Sequence, residues 1–314
     1  MKNKRSLINF ILCTFCAFFM RAQNDFLISQ YYKIPVYYNA GATGETEYLN
    51  VSVFGSLLYT KMDKYPKSVG VIGEMPIKLG KKNMIGIGLK GGFQQFADTK
   101  NFSGYAQLAY KINFSGGTLS LGIGPGVYKK RIFFTKDDEN ISLTPDSTYN
   151  STKFDFGTGI FYSGSIWYAG VSVENITVSP QSSFLVHDTD SIEIFSGRSY
   201  YFIAGGNIPI KNTLYEIAPS LMLRNCGSHI AAEGTVRGIW KKIISAGISY
   251  LWKENVTFIF AFDLRDFYIG YNYKLPIGEM SRFSGSGHEL LLSYRAKLNL
   301  GKADRFKRKS IRIM

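Results

Sequence analysis

Between Thr235 and Tyr294 hydrophobic and polar positions alternate along the chain. Ile244, Ala246, Ile248, Tyr250 and Trp252 are interleaved with Ser245, Gly247 and Ser249. Phe267, Ile269, Tyr271 and Tyr273 likewise alternate with Tyr268, Gly270, Asn272 and Lys274. A period of two is that of a β-strand with one apolar and one polar face. Strands of about ten residues, aromatic at their ends and carrying Gly, Ser, Asn and Asp on the second face, suit a barrel wall between lipid and water.

The same pattern gives strand candidates at 48–60, 68–78, 84–96, 102–113, 117–129, 153–163 and 166–177, then at 198–210, 213–224, 229–239, 242–252, 256–264, 266–274 and 287–298. That makes fourteen, and single-chain outer-membrane barrels use an even number. With the N-terminus placed in the periplasm, the connections sort by length. Long ones such as 130–152, 178–197 and 275–286 face outward, and tight ones such as 114–116, 164–165 and 265 face the periplasm. The prediction is an all-β fold: a single transmembrane antiparallel β-barrel with both termini in the periplasm. Pro125 and Pro219 intrude into strands further than a regular ladder tolerates.

Composition agrees. Of 314 residues 45% are hydrophobic, with 32 Gly, 21 Tyr and a mean hydropathy of only -0.04. Past the N-terminus there is no apolar run of about 18 residues, which excludes a helical membrane protein. The chain opens with Lys2, Lys4 and Arg5, an apolar stretch Leu7 to Met20, and the small residue Ala22, the pattern of a secretory signal. The expected parts are a signal peptide (1–22), an N-terminal periplasmic arm (23–47), the barrel (48–298) and a basic C-terminal periplasmic tail (299–314). Loss of the signal removes Cys13 and Cys16 and leaves Cys226 without a partner for an internal disulfide.

The net charge is +14, of which Lys2, Lys4, Arg5 and Arg21 leave with the signal. Lys302, Arg305, Lys307, Arg308, Lys309 and Arg312 against Asp304 then put +5 on the tail. Such a run attracts anionic lipid or an acidic protein; an exported chain without a recognition fold is no nucleic-acid binder.

No catalytic constellation stands out. The three histidines, His187, His229 and His288, lie in different hairpins. His187 beside Asp188 and Asp190 is the one place where a divalent cation suggests itself, and a solvated loop is the plainer reading. Ser286, His288 and Glu289 invite comparison with a hydrolase, without an oxyanion-hole pattern to support it. The expectation is no enzyme, no cofactor and no metal. The polar strand face, including Lys90, Gln107, Glu174, Asn272, Lys274 and Glu289, either lines a pore or forms a salt-bridged filling.

Four segments carry a family resemblance. Gln30 to Gly41 (QYYKIPVYYNAG) resembles the opening of the PorP/SprF family of Bacteroidota outer-membrane proteins, with Asn39-Ala40 lacking the usual proline. Lys153 to Tyr162 (KFDFGTGIFY), Trp167 to Val173 (WYAGVSV) and Ser284 to Tyr294 (SGSGHELLLSY) are similar to its later strands, in the same order. The resemblance implies a component of type IX secretion and its gliding machinery. Its partners would be outer-membrane lipid, periplasmic components including a peptidoglycan-binding lipoprotein, and a secreted adhesin or other cargo. The arm residues Gln30, Tyr31, Asn39 and Gly41 and the six tail cations are the candidate partner contacts. A general porin or small-solute channel is the alternative.

Overall fold

A computed structural model describes residues 28–79, 83–133, 148–177, 183–186, 190–193, 198–226, 229–278, 281 and 285–298. Its first six wall strands are β1 (Tyr48–Leu57), β2 (Lys67–Lys78), β3 (Asn83–Phe96), β4 (Thr99–Phe114), β5 (Gly117–Phe133) and β6 (Thr148–Ser163). After β7 (Trp167–Glu174) a small separate hairpin, β8 (Ser183–Val186) with β9 (Asp190–Glu193), interrupts the sequence before β10 (Ser199–Gly206). A two-residue bridge, β11 (Ile208–Pro209), precedes β12 (Tyr215–Cys226). The wall continues through β13 (His229–Trp240), β14 (Ile244–Leu251), β15 (Asn255–Leu264), β16 (Phe267–Pro276) and β17 (Gly287–Lys297).

Each wall strand pairs antiparallel with its neighbour, and β1 closes on β17 from Tyr48↔Lys297 to Leu57↔His288. Setting aside the loop hairpin and the bridge, the result is a closed barrel of 14 strands. Closure leaves no lateral sheet edge unpaired within the bilayer, the condition a spanning β structure must meet. Alternation appears directly as burial: along β2 the odd residues Val69 and Val71 face outward, while Ser68, Gly70 and Ile72 are shut inside. No described helix is long and apolar enough to cross a membrane.

The short turns at 115–116, 164–166 and 265–266 gather at one end together with Tyr48 and Lys297; the long connections gather at the other. At the long-loop end β4, β5 and β6 run 16, 17 and 16 residues, past the expected 102–113, 117–129 and 153–163. The extra residues include Lys100, Lys130 and Arg131. Alternation is imposed by lipid on one side, and beyond the lipid belt nothing maintains it. Pro125 produces no bulge. The β4–β5 register is the same on both sides of it, and the ladder is interrupted only between the rungs Tyr105↔Gly126 and Leu108↔Ile123. Pro219 turns its missing donor to the side where the β10–β12 ladder ends, at Gly205↔Ser220.

One expectation is overturned. Over its described part, residues 28–47, the predicted periplasmic arm is folded up inside the barrel, with two short 3₁₀ turns at Pro35–Tyr37 and Ala40–Ala42. Ile28, Tyr31, Ile34, Val36 and Tyr38 form a core with Phe54, Ile72, Phe161 and Ile259 of the wall. The physical reason lies in composition: an arm with four Tyr, two Ile and a Val lowers its free energy by leaving water. Burying each Ile or Val side chain contributes about 1.5–3 kcal/mol.

The plugged lumen as candidate functional site

The plug crosses the lumen and is tied to opposite walls. At its start the Ser29 amide donates to Glu289 on β17 (3.0 Å), and Gln30 donates to Asn272 on β16 (2.7 Å) while accepting from Tyr268 (2.6 Å). Tyr31 reaches Ser220 on β12 (3.2 Å). The chain then passes to the far side. There Gln107 on β4 donates to the Val36 carbonyl (3.1 Å), Lys90 on β3 to that of Tyr37 (2.8 Å) and Ser172 on β7 to that of Tyr38 (2.6 Å). The Gly44 amide finally donates to Glu74 on β2 (2.6 Å). A polar face that looked suited to a pore is thus largely consumed in satisfying a buried backbone.

Asn39 is the centre of the seat. Its side-chain amide donates to the carbonyls of Ile160 on β6 (3.0 Å) and Val171 on β7 (3.1 Å), and its oxygen caps the Gly41 amide (2.8 Å). Gly159 faces it, and a methyl group there would overlap the Asn39 carboxamide. Gly86 plays the same part further along, where a methyl would overlap the Thr43 carbonyl. Close approach of two backbones needs glycine at such points.

Several of the lumen's charges are paired. Lys274 and Glu289 meet at 2.6 Å and Lys90 and Glu174 at 2.9 Å, all four side chains nearly inaccessible. Asp263 receives both Lys33 of the plug (3.0 Å) and Arg295. Arg237 stacks on the Tyr32 ring at 3.4 Å from its centroid. A buried pair adds little net stability, but loss of one partner leaves an uncompensated charge. Between the plug and the long loops lies a polar cavity of about 70 Å³, lined by Tyr37, Lys90, Asn101, Tyr105 and Glu174 among others.

The predicted contact residues fall in two groups. Gln30, Tyr31, Asn39 and Gly41 are buried in the plug, so they hold the wall rather than present an accessible arm. Lys302, Arg305, Lys307, Arg308, Lys309 and Arg312 lie outside the described residues, as do the signal segment and His187. His288 faces outward, where it bonds Tyr271 (2.8 Å) and meets the Ser286 hydroxyl (3.4 Å), while Glu289 points into the lumen, so the suspected set is brought together only as the Ser286–His288 pair and Glu289 stands apart from it. Cys226 is the buried last residue of β12. The plug's wall partners were visible as inward polar residues; what they faced was not.

A family model described as type IX secretion system membrane protein PorP/SprF matches residues 20–294. No curated protein matches the chain in sequence. Among solved structures, the toluene transporter TodX of Pseudomonas putida is similar at 10% identity and a TM-score of 0.46, covering 80% of this chain and 90% of its own. A Pseudomonas aeruginosa FadL homologue gives 9% and 0.47 with the same coverages. BamA from Haemophilus ducreyi gives 9% and 0.42, covering 79% and 70%. These likenesses are of barrel architecture alone.

Proposed function

Since the chain belongs to the type IX secretion system membrane protein family PorP/SprF, we propose that it serves that machinery as a closed, non-enzymatic platform in the outer membrane. The observation that carries this reading is the plug: a segment bonded to β2, β3, β4, β7, β12, β16 and β17 spends the lumen on rigidity rather than passage. A porin would need that space. The work then belongs to the two rims.

The short-turn rim faces the periplasm in this reading, with the signal removed near Ala22. Lys211, Lys241, Lys242 and Arg265 stand exposed there, at the end of the barrel where β17 finishes, and Lys242 also reaches Glu216 (3.6 Å). The turn between β13 and β14 supports a role for this charge. Lys241 and Lys242 both hold positive φ (50° and 60°), closed by the Ile243 amide on the Trp240 carbonyl (2.9 Å), a geometry that favours Asn-Gly. Lysine at left-handed φ costs roughly 1–2 kcal/mol per residue. Tail and turns together suit an acidic periplasmic component, a peptidoglycan-binding lipoprotein among them, while the long loops meet secreted cargo. Each exposed ion pair would contribute only about 0–1 kcal/mol, so several must act together.

Affinity purification from outer membranes tests this. A chain ending at Leu298 should insert normally yet recover less of the periplasmic machinery and secrete less cargo. Unchanged complexes and unchanged secretion would refute the docking role of the tail.

A further inference from the structure

The outward face of the barrel at the long-loop rim carries a second charge feature, independent of the tail. In one transverse row across four strands stand Lys67 (β2), Gln95 (β3), Lys100 (β4) and Arg131 (β5), in direct register. One step toward the lipid belt the row reads Val69, Phe93, Phe102 and Lys129. Phe93 and Phe102 pack at 4.8 Å, and Val69 and Phe102 are 53% and 40% exposed, as lipid-facing residues are.

Lys100 and Arg131 are directly opposite, and Lys129 is diagonal to Lys100. Side chains opposite in register lie about 4.5–5.5 Å apart at Cβ and diagonal ones about 7–8 Å, and like charges opposite one another destabilise a sheet. Among the described residues the outward positions of β2 to β6 in these rows hold no carboxylate. Asp98, at the β3–β4 turn, is engaged by Lys64 (2.6 Å). Lys100 lies over the Phe133 ring at 5.0 Å, which leaves its ammonium hydrogens to spare. Arg131 Nε is shut off from solvent and meets no acceptor among the described residues. Three cations therefore crowd together with no described anion among them, at the height where apolar wall gives way to water.

From this placement we infer that Lys100, Lys129 and Arg131 bind the phosphate of a membrane-lipid headgroup, whose acyl chains lie along Phe93, Phe102 and Val69. A guanidinium flanked by two ammonium groups matches a phosphate's several oxygens. The apolar row directly beneath selects a lipid over a soluble anion. On the outward-facing topology proposed above, this lipid belongs to the outer leaflet and marks the depth at which the barrel sits.

Native mass spectrometry of the detergent-purified full chain tests the site, using lipid A phosphate, phosphatidylglycerol, phosphatidylcholine and inorganic phosphate as separate probes. The intact protein should retain a phosphorylated anionic lipid over phosphatidylcholine, and inorganic phosphate should not displace it. A preference for lipid A phosphate over phosphatidylglycerol would identify the glycolipid as the source; the reverse would identify a glycerophospholipid. In K100Q/K129Q/R131Q the preference should fall by about fivefold per charge removed, given roughly 1 kcal/mol per basic residue at a membrane surface. The charge-conserving K100R/K129R/R131K should keep most of it, which separates loss of charge from damage to the sheet. Equal retention by the intact and neutralised proteins, or ready displacement by inorganic phosphate, would overturn the inference.

Discussion

Asn39 shows how much a single side chain settles in this barrel. One carboxamide joins β6 to β7 and caps the plug's second turn, and Gly159 exists opposite it as the space it needs. Gly159→Ala should destabilise the folded protein by about 1–3 kcal/mol through overpacking. In Asn39→Ala/Gly159→Ala the overlap with the carboxamide is gone and only the 2.9 Å approach to Ser172 Cβ is left, so the double variant should lose less than the two single ones summed. Denaturant midpoints in one detergent measure the cycle, and strict additivity would count against the contact. The Lys274–Glu289 pair is tested in the same way. Lys274→Met alone strands a carboxylate already bonded to Ser29 and Asn272, and should cost about 3–5 kcal/mol. Lys274→Met/Glu289→Met should lose less than the two single variants summed, while the Ser29 and Asn272 donors are left without their Glu289 acceptor.

Among the elements, the β13–β14 turn and the short strands β7 and β10 carry separate predictions. Lys241→Asn/Lys242→Gly should stabilise the barrel by about 1 kcal/mol or more, because the replacement residues accept left-handed φ, while weakening capture of periplasmic partners. Stability and partner recovery both unchanged would remove the argument from strain. The β6–β7 ladder has six rungs from Thr158↔Val173 to Ser163↔Tyr168, whereas β5–β6 runs from Thr118↔Ser163 to Phe133↔Thr148. Amide hydrogen exchange should therefore proceed sooner in β7 and β10 than in β4 and β5. The wall was legible in the sequence because lipid on one face and a packed lumen on the other enforce a period of two. The plug was not: Gln30 to Gly41 has no such period, and its hydrogen bonds join residues up to 260 positions apart. The four motif segments carry the family resemblance, and their shared task lies in the fold, where Asn39, Gly159, Gly170 and Glu289 surround one plug.

The whole molecule is a membrane-spanning cylinder filled by its own N-terminal segment, with charge displayed at its rims. The fold, the membrane and the family follow from strands, closure and sequence; the platform role depends on the lumen being shut. Conductance across planar lipid bilayers tests that most directly, comparing the intact protein with one lacking residues 29–45. The plug-deleted chain keeps every wall strand and the β1–β17 closure. The intact barrel should pass no steady current and admit no small solutes, and the plug-deleted barrel should conduct. Steady conductance and solute passage through the intact protein, unchanged by removal of the plug, would contradict the account and restore a porin.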